Sequence, residues 1–338
     1  MDKKYSKKKQ LSLHITNEEA WIQYNKKESR RYHNLSSDWK QKLIEMPLEQ
    51  KTHLMFKYSL EGNKRLVKFL IEKCDMSPNI FDLDRNSPIM FAVKSGSVET
   101  VEYLLKKWAE INYVDALGVS PLLLATSKNH FKMIQLLLKY EANINIEDAY
   151  NQTPLFEAIK QNNTEVIDLL LASGADIEHK NREGRTALMV CAFDKNRIDA
   201  MKKILLCGVN VNATDNLGKT AFMHAINNNN GAMMDILLKQ GAHINTVDVF
   251  GNTPLMICAK RGNREGTRVL VAMGADVFKK NKNGQTAYSI ARACGNTTCA
   301  EILAKAEKIY TQEISENKRN AKLEEFARQN KTDWSCKR

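Results

Sequence analysis

The sequence of 338 residues lacks the features that mark a secreted, disulfide-bonded or membrane-spanning protein. Its 7 cysteines are odd in number and form no C-x-x-C pair, which predicts a reduced intracellular chain without a disulfide framework. No stretch is long and apolar enough to cross a bilayer, and the start, Met1 to Lys9, lacks the apolar run of a signal peptide. We therefore expect a cytoplasmic protein, with the nucleus as a further location.

The sequence also lacks the motifs that commonly accompany catalysis or a bound cofactor. Neither common form of Gly-rich phosphate loop occurs, and there is no H-E-x-x-H pair. Cys294 and Cys299 lie five residues apart, but a catalytic thiol needs a nearby base, and a core or surface thiol is the ordinary interpretation. We predict no catalytic, cofactor-binding or metal-binding residue, and a protein that is not an enzyme.

What the sequence does contain is an excess of positive charge, unevenly distributed. The formal net charge is +12. Residues 1–51 hold 12 Lys and Arg against 7 Asp and Glu, and residues 305–338 hold 9 against 6. The region between them holds 30 against 26, so the two flanks together carry +8 of the +12.

The chain also repeats itself. Seven times a Thr or Ser is followed by Pro or Ala and then an apolar residue, at Ser87, Ser120, Thr153, Thr186, Thr220, Thr253 and Thr286. The spacings are 33, 33, 33, 34, 33 and 33 residues. A fixed period in this range predicts stacked supersecondary units, each too small to bury a core alone.

One unit shows the local pattern. Thr153 is expected to cap a helix, with Pro154 at its first position, where a missing N–H costs nothing. After a break, a second helix is predicted over residues 164–171, apolar along one face. Gly174 then supplies the left-handed residue that ends a helix, and an extended finger turns back at residues 181–184.

This pattern resembles the ankyrin repeat. The matching motifs are Gly174-Ala175-Asp176, Gly241-Ala242, Gly274-Ala275-Asp276 and Asp215-Asn216-Leu217-Gly218. The resemblance covers residues 52–304, with Thr52-His53-Leu54 as a degenerate first repeat. It implies an all-α solenoid of about eight helix-turn-helix units with β-hairpin fingers. Residues 1–51 are then a basic disordered start followed by capping helices, and residues 305–338 a charged helical tail.

Three departures from the family pattern carry expectations. The family's histidine after T-P-L is replaced by Met90, Leu123, Phe156, Met189, Met223 and Met256. Other groups must then take over its hydrogen bonds to the neighbouring loop. Trp108 and Glu141 stand where later repeats have the helix-ending Gly. If the left-handed conformation is kept, each of these side chains should cost about 1 kcal/mol or more of folding free energy. The 34-residue spacing places one extra residue near residues 194–197.

The resemblance implies that a partner meets the concave surface, which we call the groove. Counted from the Thr or Ser that opens each repeat, its positions are minus six, minus four, minus three and minus one in the finger, and plus seven and plus eight in the first helix. Its basic residues are Lys94, Lys128, Lys160, Lys180, Arg182, Arg185, Lys219, Lys260, Arg261, Lys280 and Lys282. Its acidic residues are Asp84, Glu147, Glu183 and Asp194. The resulting excess of positive charge indicates an acidic partner, while a solvated surface of a Lys-rich chain is an equally open alternative.

The finger tips carry a second signal. Large apolar side chains recur three residues before the Thr or Ser, at Leu117, Tyr150, Leu217 and Phe250. They suit an acidic segment with apolar anchors, or they pack on the neighbouring finger instead. The predicted partner-binding residues are Tyr113, Leu117, Tyr150, Arg182, Arg185, Leu217, Lys219, Phe250, Lys260 and Arg261.

The flanks predict further helices. Thr16 and Ser36 begin capped helices whose aromatic residues would cover the end of the stack, and residues 305–333 look helical. The first hypothesis is a monomeric, non-catalytic scaffold or adaptor that binds an acidic protein segment. The alternative is a structural component of a filament or large multiprotein assembly, held through its repeats and through flanks that contain Trp21, Trp39, Phe326 and Trp334. Nucleic acid or anionic membrane is less favoured as a partner, because the basic run at residues 3–9 is short.

Overall fold

The computed structural model describes residues 37–312, in which helices recur in pairs joined by fingers. The helices are α1 Ser37–Glu45, α2 Leu48–Leu60, α3 Lys64–Lys73, α4 Pro88–Lys94, α5 Val98–Lys106, α6 Pro121–Ser127, α7 Phe131–Lys139, α8 Pro154–Lys160, α9 Thr164–Ala172, α10 Ala187–Cys191, α11 Ile198–Leu206, α12 Ala221–Asn227, α13 Gly231–Lys239, α14 Pro254–Arg261, α15 Arg264–Ala272, α16 Ala287–Ala293 and α17 over 297–312. No strand occurs within these described residues. The helix expected near Thr16, the basic run at the start and the tail beyond residue 312 lie outside them.

The even-numbered helices α2 to α16 form one layer, and the odd-numbered helices from α3 onward form the other. Each even-numbered helix contacts the next along the whole series. Consecutive odd-numbered helices also pack on each other, for example α3 on α5 and α9 on α11. The core lies between the layers, where Phe156 and Phe222 are fully buried. The all-α repeat solenoid predicted from the 33-residue period is therefore confirmed.

The first helix of each repeat begins as the sequence predicts. Proline is the first residue of α4, α6, α8 and α14. In four repeats the hydroxyl of the Ser or Thr before the helix accepts a hydrogen bond from the backbone amide three residues further along the chain. These residues are Ser120, Thr220, Thr253 and Thr286. At Ser87, Thr153 and Thr186 that side-chain bond is absent. The proline and the extended backbone of the capping residue thus start a helix even where the hydroxyl bond is missing.

The described stack ends in α1 on one side and, on the other, in α17, the second helix of the last repeat, which continues to residue 312. Leu43 of α1 is fully buried in the common core. In α17, the Tyr310 hydroxyl donates to the Val271 carbonyl at 3.0 Å. At the first repeat, Thr52 lies inside α2 rather than opening it, because the helix begins just after Pro47, whose fixed backbone suits a helix start.

The expected irregularities are local. Trp108 and Glu141 keep the left-handed conformation, with φ of 65° and 63°, where Gly174 has 92°. The extra residue is taken up by a short 3-10 helix, Lys195–Arg197, between α10 and α11. The stack therefore absorbs these departures without losing its period. Within residues 37–312, none of the helices has both the length and the apolar character that a membrane crossing requires.

Candidate protein-binding surface

Each finger is held by one Asp or Asn five residues before the Thr or Ser. In the fifth finger, Asp215 Oδ1 accepts the amides of Leu217 at 2.9 Å and Lys219 at 2.8 Å. The same pair of bonds is made by Asp115, Asp148, Asn181, Asp248 and Asn281. These hydrogen bonds lie within each finger, between residues two and four positions apart. The finger backbone is therefore fixed before any partner arrives.

Neighbouring fingers are joined tip to tip by backbone hydrogen bonds. The amide at minus four of one finger donates to the carbonyl at minus three of the finger before it. The six bonds run from Ala116 to Asp84 (3.1 Å), Ala149 to Leu117 (3.1 Å), Arg182 to Tyr150 (3.1 Å), Asn216 to Glu183 (3.0 Å), Val249 to Leu217 (2.9 Å) and Lys282 to Phe250 (3.0 Å). The tips thus form one continuous row, in which the positions of the side chains are set by the backbone.

The apolar tip side chains lie largely in solvent. Leu117 is 65% exposed, Tyr150 59%, Phe250 57% and Leu217 45%. These fractions mean that packing on the neighbouring finger covers only part of each side chain. Four aligned apolar groups on a polar surface are a recognised feature of interaction sites.

Charge is distributed differently on the two layers. The second helices pair their lysines with carboxylates, as in Lys203 with Asp168 at 2.6 Å and Lys106 with Glu102 at 2.8 Å. In the groove, Lys160 is the one predicted cation that forms an ion pair with another residue of 37–312, with Glu157 at 3.4 Å. The remaining groove cations keep their charge available for a partner.

The centre of the groove contains a connected group of side chains. The Arg185 guanidinium lies 4.6 Å from the centroid of the Phe193 ring, and that ring lies 4.6 Å from the ring of His224. His224 Nε2 is in turn 2.8 Å from Asp215 Oδ2. Because a carboxylate can only accept, this nitrogen carries the hydrogen and donates it. The contacts link the bases of the fourth and fifth fingers to α12.

The structure brings some of the predicted residues together and separates others. Arg182, Arg185, Leu217 and Lys219 share the fourth and fifth fingers. Elsewhere Lys260 and Arg261 lie at the end of α14, where Arg261 donates two hydrogen bonds to Asn227 Oδ1.

Tyr113, a predicted partner-binding residue that is not at a tip, is half-buried. Its ring stacks on Phe81 with centroids 6.1 Å apart, and the guanidinium of Arg85 lies 5.7 Å from the Tyr113 centroid. Much of its ring is therefore already occupied by neighbours, which leaves a smaller area for a partner.

The sequence analysis missed Phe193 and His224. Phe193 stands at plus seven, where Lys94, Lys160 and Lys260 stand in other repeats, and it directly precedes the extra residue. His224 is one position beyond the family's usual histidine. The position of Phe193 next to the extra residue is a signal that could have identified it, whereas no such irregularity marks His224 in the sequence.

His224 gives the fold a pH dependence. Burial lowers the pKa of His224, the hydrogen bond and charge of Asp215 oppose this, and Arg185 and Lys219 add to the lowering. The unfolded chain then binds this proton more readily than the folded protein. The stability that His224 contributes is therefore present above the ordinary value of 6.5 and lost as pH falls below it.

We expect His224→Gln to be destabilised by about 1 kcal/mol at neutral pH, because the buried bond to Asp215 is weakened. The difference from wild type should shrink between about pH 7.5 and pH 5, as measured by urea unfolding. His243→Gln, at an exposed position, is the control and should have the same free energy of unfolding as wild type at both pH values. A difference that grows at low pH would mean that the ring is charged in the fold.

The described residues offer little for catalysis. Burial raises the pKa of the Cys191 and Cys258 thiols to about 12, so both are protonated at neutral pH and behave as small apolar groups. Both occupy the position that is a buried Ala in other repeats. Within residues 37–312 no three or more His, Cys, Asp or Glu side chains are placed to hold a metal ion.

Comparisons with known proteins agree with this geometry. A family model described as ankyrin repeats, in three copies, matches residues 33–115, 107–181, 162–248, 188–281 and 235–318. The chain is also similar to the ankyrin repeat domain of Bcl-3, described as a unique member of the IkappaB protein family. That similarity has a TM-score of 0.58 and 27% identity, and covers 65% of this chain and 99% of the other. None of the curated proteins compared with the sequence matches it.

Proposed function

The chain belongs to the ankyrin-repeat family, whose repeats are protein–protein interaction modules, and we propose that it is a non-catalytic scaffold or adaptor that binds an acidic segment of a protein partner in its groove. It acts as a monomer until the partner binds, in the cytoplasm and also in the nucleus. The repeats supply a rigid frame, and the tips and cations supply the recognition.

The contrast in charge pairing between the two layers carries this proposal. Six of the seven lysine–carboxylate pairs within residues 37–312 lie on or beside the second helices. Groove cations without carboxylate neighbours favour an anionic partner, since its carboxylates would replace water rather than an existing ion pair.

The apolar tips support a protein partner rather than a uniformly charged polymer. A stretch of carboxylates alone would leave Leu117, Tyr150 and Phe250 in water. A protein segment can place apolar side chains against these tips and carboxylates against the cations, and burial of apolar area is the usual source of affinity at such surfaces. The alternative hypothesis, assembly through the flanks and the repeats, depends in part on residues outside the described range and stays a prediction.

Salt dependence tests the electrostatic part of the proposal. A partner captured by proximity labelling with the full chain would be purified and titrated by calorimetry at about 50 and about 500 mM salt. We expect the affinity to fall about tenfold or more, because screening weakens attraction between exposed charges. Circular dichroism at both salt concentrations controls for folding. An affinity that does not change would contradict recognition by charge.

A further inference from the structure

The first three fingers carry a different charge from the later ones. The first three hold 8 Asp and Glu against 1 cation, over residues 75–86, 108–119 and 141–152. The four later fingers hold 6 Asp and Glu against 7 Lys and Arg, over residues 174–185, 208–219, 241–252 and 274–285. Extending the first three back to residues 72, 102 and 139 still leaves 10 acidic against 5 basic side chains. The row of fingers is therefore acidic at its amino-terminal end, where the one cation, Arg85, already lies over the Tyr113 ring.

At this acidic end a tryptophan side chain lies almost wholly in solvent. Trp108 is 87% exposed and keeps a left-handed backbone with φ of 65°. Asp75 and Glu141, one repeat before it and one repeat after, are also exposed and left-handed, with φ of 57° and 63°. The four later repeats have Gly at this position. Residues that keep an unfavourable backbone conformation cluster at functional sites, and burial in the core does not account for these three.

Asparagine side chains join the fingers around Trp108. Asn79 of the first finger donates from Nδ2 to the Trp108 carbonyl at 3.0 Å, and its Oδ1 accepts from the Glu110 amide at 2.8 Å. Asn112 of the second finger accepts from the Asn143 amide of the third, also at 2.8 Å. The surface around Trp108 is therefore built from three fingers that are fixed to one another.

We define the outer patch as the side chains of Asp75, Phe81, Trp108, Glu110 and Glu141. All five are exposed, and Phe81 is 60% exposed. The three carboxylates form no ion pair with another residue of 37–312. Only Phe81 stands at a groove position, minus six. The outer patch thus combines two exposed aromatic rings with three carboxylates that are available to a partner.

The lysines that directly precede Trp108 are engaged elsewhere. Lys106 Nζ lies 2.8 Å from Glu102 Oε1, and Lys107 Nζ lies 3.0 Å from Glu72 Oε1. Both lysines are therefore paired with carboxylates of the second helices rather than with those of the outer patch.

Exposed rings beside free carboxylates suit one kind of side chain. The planar guanidinium of arginine stacks on an indole ring and donates paired hydrogen bonds to a carboxylate. A purely apolar segment would bury the carboxylates without a partner, and an acidic segment would be repelled by them. Charge complementarity and the exposed rings therefore select a basic segment that contains arginine.

We propose that the outer patch binds an arginine-containing basic segment of a second protein partner, with one guanidinium stacked on Trp108 and paired with Glu110. Further cations of the segment lie against Asp75 and Glu141, which stand one repeat away on either side. This inference goes beyond the proposed function, because it assigns a second partner, of opposite charge, to a second surface. A scaffold with both surfaces holds an acidic and a basic protein on one row of fingers.

The test uses the full chain and a short labelled peptide of alternating arginine and serine, followed by fluorescence anisotropy at low salt. Because the whole chain has a formal net charge of +12, the overall field opposes this peptide, and binding reports a local acidic surface. The control peptide has lysine in place of arginine, which keeps the charge but loses the planar group. We expect the arginine peptide to bind about fivefold more tightly than the lysine peptide.

Trp108→Gly removes the ring and introduces the residue that the later repeats have. It should weaken the arginine peptide about tenfold. The midpoint of urea unfolding should be no lower than that of wild type, since Gly adopts the left-handed backbone without strain. Leu206→Ala, at an apolar site 84% exposed at the end of α11, is the matched control and should bind the peptide as wild type does.

Glu110→Gln combined with Glu141→Gln tests the carboxylates and should weaken the arginine peptide about fivefold. The matched control is Glu165→Gln with Glu301→Gln, at exposed sites on α9 and α17. Both double variants remove two carboxylates, so only a local effect separates them.

An arginine peptide that is indifferent to Trp108→Gly, or that binds no better than the lysine peptide, would overturn the inference. Binding that appears only after the lysines of residues 3–9 are replaced by glutamine would overturn it in favour of the chain's own basic run as the occupant. Lys180→Glu with Arg182→Glu should leave the arginine peptide within about twofold of wild type. Because those changes lie in the groove, they report on the proposed function, whereas Trp108→Gly reports on the outer patch, and either can fail without the other.

Discussion

Replacing Lys180 and Arg182 together by glutamate is expected to weaken binding of the acidic partner about 100-fold, roughly tenfold for each reversed charge. Both side chains are exposed at the centre of the groove. Neither is in an ion pair with another residue of 37–312, so the change removes an attraction to the partner without breaking an ion pair within the fold. It does remove the hydrogen bond that Lys180 Nζ donates to the Thr214 carbonyl at 3.1 Å. Reversal adds repulsion between the new carboxylates and those of the partner. The dissociation constant, measured by calorimetry at low salt, checks the prediction.

The matched control is Lys132→Glu with Lys239→Glu, at exposed sites on α7 and α13. Each replacement changes the charge by two, so both double variants lower the formal net charge from +12 to +8. The control should bind within about twofold of wild type, since screening limits the reach of distant charges. If both double variants lost affinity equally, the overall charge and not the groove would determine binding.

The largest effect on stability is expected from Asp215→Ala, at about 3 to 5 kcal/mol. The carboxylate is buried and accepts three hydrogen bonds, from the amides of Leu217 and Lys219 and from Nε2 of His224. Removing it leaves three donors without this acceptor, two of them in the backbone of the finger. Urea unfolding measures the total, and hydrogen exchange of the Leu217 and Lys219 amides measures the local loss.

The Asp215→Asn variant distinguishes the contribution of the finger hydrogen bonds to stability from that of the carboxylate charge. Asn181 and Asn281 occupy the same position in other fingers and hold their two amides at 3.0 to 3.1 Å. The Asn variant should therefore keep the finger and lose about 1 to 2 kcal/mol, because its Nδ2 donor replaces the carboxylate oxygen that accepts from Nε2 of His224. Asp199→Ala, at an exposed site on α11, should change stability by less than about 0.5 kcal/mol. Rapid exchange of both amides in the Asn variant would contradict this role for the side-chain oxygen.

The parts of the fold that depend on local patterns could be predicted from the sequence. The 33-residue period located the first helix of each repeat, because Pro154 and the equivalent residues start a helix through their own local backbone conformation. The left-handed conformation of Glu141 could be anticipated by comparison with Gly174. The first repeat is degenerate in the sequence, and its first helix could not be located from the period alone: α2 begins at Leu48, just after Pro47, so Thr52 lies inside it.

The candidate surface was less accessible to sequence reasoning. The period aligned the four apolar tips but could not say how much of each lies in solvent, which depends on the side chains of two neighbouring fingers. The contact between Arg185 and Phe193, and the bond between His224 and Asp215, join residues that no motif connects. The first lies where the loop after α10 is longer by one residue, and the second joins the fifth finger to α12, so only the folded geometry shows these pairings.

The hydrogen bonds between finger tips also bear on how such a surface can change over evolutionary time. They join backbone to backbone and place no demand on the side chains at minus four and minus three. Tyr150 and Arg182 could therefore each be exchanged for another residue without disturbing the bond between them. Partner preference can drift one substitution at a time, whereas a deletion of one residue within a finger would be selected against, because it would break the row.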